Sequence, residues 1–273
     1  MNRIIILPNI KQPDIIATAT KLSKHLQDMG KQVWVNPQED VEADLVLVLG
    51  GDGTMLHYAL RLQRLNLPVM AVNCGNLGFM STVELSDFDQ AWLAVETGDY
   101  SIEHRMTLDV TIERQGDQVF SSQALNELVV AKGPLSRMGR IEVMIDDFWL
   151  DTFPADGIIV ATPTGSTAYS LSAGGPLVNP LLALMIITPI AAHALYARPV
   201  IVPPDSVISI DSHETDLIYM TIDGRENRCL ECGDTVVAKR SHKVIKLIKL
   251  KTSNYYETMR HKLRRTEVQR SAY

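Results

Sequence analysis

Between residues 45 and 56 the chain reads Leu-Val-Leu-Val-Leu-Gly-Gly-Asp-Gly-Thr-Met-Leu, and no other stretch restricts the possible folds so tightly. Five consecutive apolar residues, Leu45 to Leu49, are too few for a helix and match a strand buried on both faces. Gly50, Gly51 and Gly53 then force a tight turn, and Thr54 can open a helix running through Arg64. A strand, a glycine turn and a helix point bare backbone N–H groups at an anion, usually phosphate. Asp52 is the odd residue, because phosphate repels a carboxylate. Two chemistries account for it: accepting a proton from a hydroxyl beside the phosphate, or holding a divalent cation. Both read as phosphoryl transfer to an alcohol. The alternative is an ordinary strand-to-helix turn with an Asp at the cap. The pattern is neither the Walker loop, since no Gly-Lys-Ser/Thr follows, nor G-x-G-x-x-G.

The flanking sequence supplies the sheet that such a strand needs. Residues 3–8 read as a strand and Pro13 to Met29 as an amphipathic helix, with Ile15, Ile16, Ala19, Leu22 and Leu26 on its apolar side and Gly30 at its end. Val33 to Val35 and Pro68 to Asn73 are further strands. Alternating β and α units with short links predict a parallel sheet with right-handed crossovers, whose ligands sit at the carboxyl ends of the strands. Gly50 to Gly53 falls at such an end, and so does a second glycine turn, Gly75-Asn76-Leu77-Gly78-Phe79, which faces the same crevice or is a plain loop. Ser86 to Glu96 reads as one more helix, followed by Gly98.

From Arg105 the period changes to two. Met106, Leu108, Val110 and Ile112 alternate with polar residues, and Gln115-Gly116-Asp117 supplies a hairpin turn. Short strands continue at Ile141 to Ile145, Val200 to Val202, Val207 to Ile210 and Tyr219 to Ile222, so a β-rich second domain is expected from about residue 99. Tyr255 to Arg264 reads as a helix that can return to the first domain.

Composition excludes several classes. The 273 residues carry a net charge of −6, and no run of about twenty apolar residues predicts a membrane span. Leu181 to Ala197 comes nearest and is broken by Thr188, Pro189 and His193. The first eight residues read as a strand rather than a signal peptide. Cys74, Cys229 and Cys232 form an odd set that favours a reducing cytoplasm. Cys229-Leu230-Glu231-Cys232 is half a zinc site, a redox pair or a coincidence. Residues 239–270 hold eleven Lys or Arg against two Glu, so residues 1–238 carry −15. Lysines that alternate with apolar residues from Lys243 to Lys251 fit a half-exposed strand better than a nucleic-acid surface.

The second domain holds the other polar constellations. From Gly157 to Ala197 there is no Asp, Glu, Lys or Arg, and within that run Thr162 to Gly175 packs seven hydroxyls and three glycines into fourteen residues. Such a segment suits a neutral ligand rich in donors and acceptors, or is a connector whose hydroxyls satisfy local backbone. Asn126-Glu127 lies in an apolar strand context, where an Asn can read adenine and a Glu can accept from ribose hydroxyls. Asp156-Gly157 ends another such segment or forms a turn.

Taken in this order, Gly50-Gly51-Asp52-Gly53-Thr54, Gly75 to Phe79, Asn126-Glu127, and Asp156-Gly157 with the Thr162 to Gly175 run resemble the NAD kinase family over nearly the whole chain. The glycine-aspartate motif alone is shared with phosphofructokinases and lipid kinases, whereas the Thr162 to Gly175 run is far more specific. The resemblance implies a Rossmann-like α/β domain over residues 1–98 and a β-rich, sandwich-like domain over 99–251, with a C-terminal segment, about 252–273, that packs back on the first. It further implies NAD as substrate, ATP or polyphosphate as donor, a divalent cation such as Mg²⁺ with no assigned protein ligands and a homodimer or homotetramer. The cysteines, the missing apolar span and the lysine pattern set the expectation of a cytoplasmic location without nucleic-acid or membrane partners. By the same resemblance Asp52 is the general base toward the adenosine 2′-hydroxyl, and Gly50, Gly51, Gly53 and Thr54 form the donor-phosphate loop. Asp52, Gly53, His57, Phe79, Asn126, Glu127, Arg137, Asp156, Thr167, Ala168, Tyr169, Ser170, Leu171 and Ser172 contact the dinucleotide.

Overall fold

The computed structural model describes residues 1–75, 78–81, 83–133, 139–193, 197–212, 217–251 and 254–270; Asn76, Leu77 and Arg137 lie outside the described residues. The chain divides into two units, Met1–His104 with Ile245–Tyr273, and Arg105–Val244.

The first unit is α/β. Its strands are β1 (Arg3–Pro8), β2 (Gln32–Val35), β3 (Leu45–Leu49), β4 (Pro68–Asn73) and the short β5 (Val83–Glu84). Its first three helices are α1 (Pro13–Asp28), α2 (Asp52–Leu65) and α3 (Phe88–Thr97). All pairings are parallel: β2 beside β1, β1 beside β3, β3 beside β4, and β5 on β4. Every residue of β3 is buried, as a continuous apolar run requires. Ile4, Ile6, Leu45, Leu47, Leu49, Met70 and Val72 share one core with Ile15, Ala19, Leu22 and Leu26 of α1 and Phe88, Ala91, Trp92 and Val95 of α3. The alternate residues Ile5, Leu7, Val46, Val48, Val69 and Ala71 point to the opposite face and are buried too. From α2, the Tyr58 hydroxyl donates to the Pro8 carbonyl at 2.9 Å.

Two boundaries differ from expectation. The helix after the glycine turn begins at Asp52, not Thr54, because Gly51 takes the N-cap position. Thr54 is then already inside the first turn, its N–H bonded to the Gly51 carbonyl at 2.9 Å. An acidic residue at the first helical position is favoured by the helix dipole, which compensates for the absence of a capping side chain. The helix expected from Ser86 starts as a 3₁₀ turn, Leu85–Asp87, and becomes α-helical only at Phe88.

The second unit is a β-sandwich. β6 (Tyr100–Arg114) leads into it and β17 (Asp234–Leu250) leads out. Between them come β7 (Asp117–Ala124), β8 (Glu127–Lys132), β9 (Gly139–Ile145), β10 (Phe148–Ala155), β11 (Gly157–Ala161), the short helix α4 (Tyr169–Ser172), β12 (Met185–Ile190), β13 (Val200–Val202), β14 (Ile208–Ser212), β15 (Ile218–Ile222) and β16 (Glu226–Leu230). One sheet has the order β13-β12-β11-β8-β15-β16, antiparallel throughout. In the other, β10-β9-β14-β17 run antiparallel, with β6 beside β17 and β7 beside β6. Period-two residues of both sheets meet in one core, including Leu108, Val110, Leu128, Val130, Val143, Ile158, Val160, Ile187, Ile210, Met220 and Val236. The opposite face of β11 is covered as well: Ile159 and Ala161 pack with Val129, Ile186 and Val178. Burial on both faces explains why β11 itself carries no charge.

Beyond Val244 the chain rejoins the first unit, where the end of β17 pairs in parallel with β4 through Lys246↔Pro68 and Leu247↔Val69. The final helix is α5 (Tyr255–Arg270).

Candidate active site

In the α/β unit the site is built around Asp52. Of the three glycines before and after it, only Gly50 takes a positive φ, +147°. That residue turns the chain out of β3, and its N–H is bonded to the Val72 carbonyl of the neighbouring strand at 3.0 Å. Asp52 opens α2, and its carboxylate is held from a second loop. The Phe79 N–H donates to Oδ2 at 2.8 Å and the Met80 N–H to Oδ1 at 3.0 Å. This approach requires Gly78, where a Cβ would overlap Asp52 Oδ1 and lie 2.8 Å from its Cγ. The second glycine turn is thus the clamp that fixes the Asp52 side chain. Its start is shaped by Asn73, whose amide donates to Glu84 and to the Gly75 carbonyl while its Oδ1 accepts from the Gly75 N–H.

A third element reaches the same carboxylate. Lys262 of α5 places Nζ 3.5 Å from Asp52 Oδ2 and 4.2 Å from the centre of the Phe79 ring. Gly53 follows Asp52 in α2. His57 lies one turn farther on, edge-on to Tyr58 with ring centres 4.6 Å apart.

In the β-rich unit Asn126 and Glu127 are buried at the start of β8. Their backbone is clamped by a residue that sequence reasoning missed. The Asp223 carboxylate accepts the N–H of Leu125 at 2.8 Å, of Asn126 at 2.8 Å and of Glu127 at 3.0 Å. Asp223-Gly224 is the turn between β15 and β16, with positive φ at both residues. An Asp-Gly pair between two strands signals a hairpin, but nothing local reveals that the carboxylate reaches back to residues 125–127. Burial raises the Asp223 carboxyl above the usual carboxylate range, against the pull of its three N–H donors. Glu127 is pushed up to about 8, first by burial and then by the Asp223 charge, while the Tyr169 N–H pulls the other way.

The hydroxyl-rich segment divides its labour. Thr162 ties it to the Asn126 loop: Oγ1 donates to the Leu125 carbonyl at 2.6 Å and accepts from the Gly165 N–H, and its own N–H bonds the Asn126 carbonyl. Ser166 bridges both backbone groups of Val178, and Ser170 is fully buried against the Thr188 hydroxyl at 2.9 Å. Those three hydroxyls are committed to partners within the protein, 12 to 37 positions away. The Thr167 hydroxyl donates to the Thr164 carbonyl, while Tyr169 and Ser172 are exposed and Ala168 and Leu171 half-buried. Three buried polar atoms in this neighbourhood carry no hydrogen bond: Asn126 Oδ1, Glu127 Oε2 and Thr164 Oγ1. Buried polar atoms are rarely left unpaired, and these three lie close together in the chain segments joined by Thr162. Asp156 pairs with Lys132 at 2.9 Å, and at the bend between β10 and β11 its carbonyl accepts the Lys132 N–H while its own N–H donates to the Ile190 carbonyl.

Among the described residues no cluster of three or more His, Cys, Asp or Glu side chains can hold a metal ion. Cys229 and Cys232 are exposed free thiols.

Comparison with known proteins finds similarity along most of the chain. Residues 11–100 match the family model of the ATP-NAD kinase N-terminal domain, and residues 125–250 that of the C-terminal domain. An NAD kinase of Moorella thermoacetica is 39% identical over 97% of this chain and 90% of its own length. One from Caldanaerobacter subterraneus subsp. tengcongensis is 36% identical over 96% of this chain and 99% of its own length. The crystal structure of yeast NADH kinase complexed with NADH superposes with a TM-score of 0.82 at 25% identity, covering 94% of this chain and 85% of the yeast chain.

Proposed function

The chain belongs to the NAD kinase family, and from that premise we propose that it transfers the γ-phosphoryl group of ATP to the 2′-hydroxyl of the adenosine ribose of NAD, forming NADP. The observation that carries the reading is the Asp52 carboxylate, fixed at the first turn of α2 by the N–H groups of Phe79 and Met80. A base that two backbone donors hold in place loses little entropy in reaching its substrate, and each oxygen keeps lone-pair capacity for a hydroxyl proton. In the reaction Asp52 takes that proton as the ribose oxygen attacks the γ-phosphorus.

Asn126 and Glu127 bind the adenosine end. Their unpaired Oδ1 and Oε2 atoms are the acceptors, or for a protonated Glu127 the donor, that a purine amine and ribose hydroxyls complete. Asp156 and the exposed part of the segment from Thr167 to Ser172 contact the rest of the dinucleotide, and Gly50 to Thr54 face the donor phosphates. The donor set suits a divalent cation held chiefly by the nucleotide's own phosphates, with Asp52 the one carboxylate of the glycine turn. When bound, such an ion neutralises phosphate charge.

The test is NADP formation by purified protein from NAD, ATP and Mg²⁺, read with an NADP-specific dehydrogenase. Saturable NAD binding without NADP formation refutes the kinase reading. Polyphosphate in place of ATP tests the second donor, and sedimentation tests the homo-oligomer.

A further inference from the structure

The C-terminal helix brings a cation to the proposed base, and the reaction as described leaves that cation without a role. Lys262 is 210 positions from Asp52, yet its Nζ lies 3.5 Å from Oδ2, and just over a quarter of each side chain is exposed. The contact is long for a charge-assisted bond, which normally closes to about 2.7–2.9 Å. Lys132 and Asp156 reach 2.9 Å in the same protein. Asp52 Oδ2 is already engaged at 2.8 Å by the Phe79 N–H, and the ammonium is also held over the Phe79 ring at 4.2 Å. Lys262 is therefore shared between the carboxylate and the Phe79 ring. It sits on an aromatic face that attracts a cation whatever its counter-ion.

The charge balance of the proposed transfer shows what that placement can do. As the ribose O–H bond breaks, its proton goes to Asp52, which becomes neutral. The new O–P bond forms, the bond from the γ-phosphorus to the β,γ-bridging oxygen breaks, and ADP leaves with that electron pair. Lys262 loses its anionic neighbour at the moment when negative charge accumulates on the phosphoryl oxygens. We propose that Lys262 is a further catalytic residue, whose ammonium, seated on Phe79 and paired with Asp52 at rest, passes to the transferring phosphoryl group as Asp52 is neutralised. It keeps its three protons throughout and acts by hydrogen bonding and charge. The proposal rests on the kinase reading above.

The experiment compares wild type, K262M and K262R in the NADP assay, with NAD affinity from equilibrium dialysis and thermal unfolding measured in parallel. Removing one preorganised donor to a developing anion costs about 10²–10³ in kcat, so K262M should fall by that factor with NAD affinity within about threefold and folding retained. K262R, which keeps the charge, should recover at least about tenfold over K262M. K262M at wild-type kcat overturns the proposal. So does K262R no better than K262M, since charge at that position then carries no part of the rate, or loss of the folded state in both, which makes Lys262 a structural anchor of α5. Wild type that binds NAD but forms no NADP overturns the underlying reaction, and is read before either variant.

Discussion

Replacing Glu127 by Gln should remove a large pH dependence from the stability of the ligand-free protein. Glu127 is 6% exposed and its carboxyl is raised from an ordinary 4.5 to about 8, mainly by burial. A raised carboxyl stabilises the fold in its protonated form. The contribution is therefore full below about pH 4.5, where both states are protonated, and is lost as pH rises through the folded value near 8. The gap corresponds to about 5 kcal/mol at full titration, of which about 3 kcal/mol disappears between about pH 5.5 and 8. Gln keeps the shape and an oxygen for the Tyr169 N–H but does not ionise, so that loss should vanish. Asp223 is also raised and its charge acts on Glu127, so the two titrate as a coupled pair and the difference between wild type and E127Q reports the loss that an ionisable Glu127 adds to that pair. Urea unfolding followed by circular dichroism at the two pH values measures it. E127Q should lose about 3 kcal/mol less than wild type over this interval. Parallel losses in the two proteins would refute the assignment of burial strain to Glu127.

Asp52→Asn should leave NAD binding largely intact and lower kcat by about 10²–10⁴, the usual cost of a positioned general base; steady-state NADP formation and equilibrium dialysis check both halves. Gly78→Ala should push the Asp52 carboxylate off its two N–H donors, because the new methyl overlaps Oδ1. A displacement on the order of 1 Å costs about 10²-fold in kcat, and NAD affinity measured beside it should move far less. Asp223→Asn keeps one acceptor oxygen for the Asn126 and Glu127 N–H groups and sets an amide donor against the Leu125 N–H. Orphaning that buried donor should cost about 1–3 kcal/mol in urea unfolding and weaken NAD binding, since residues 125–127 carry the adenosine acceptors.

The α/β unit was readable because its signals are local. A five-residue apolar run, a helical period between Pro13 and Met29 and glycines after α1 and β3 are properties of neighbours in the chain, and β3, α1 and β4 lie where those properties put them. The Asp52 turn was readable for the same reason, down to the conflict between a carboxylate and a phosphate loop. The β-rich unit was less so. β11 and β12 are buried in a way that removes the period-two pattern, leaving only a charge-free run, and the hydroxyls in that run could serve a ligand or their own backbone. Tertiary structure divides them, giving Thr162, Ser166 and Ser170 to bonds across the fold and leaving Thr164 Oγ1 unpaired.

By itself, then, the sequence determined the order of elements in the α/β unit, the β-rich class of the rest and the carboxylate at the end of β3. Only the folded chain decided what holds the site in place: Phe79 and Met80 on Asp52, Lys262 beside it, and Asp223 under Asn126 and Glu127. Those bonds join backbone and side chains 27 to 210 positions apart. A hydrogen bond across such a separation leaves no periodicity or spacing in the chain, because the partner is selected by where the sheets bring it.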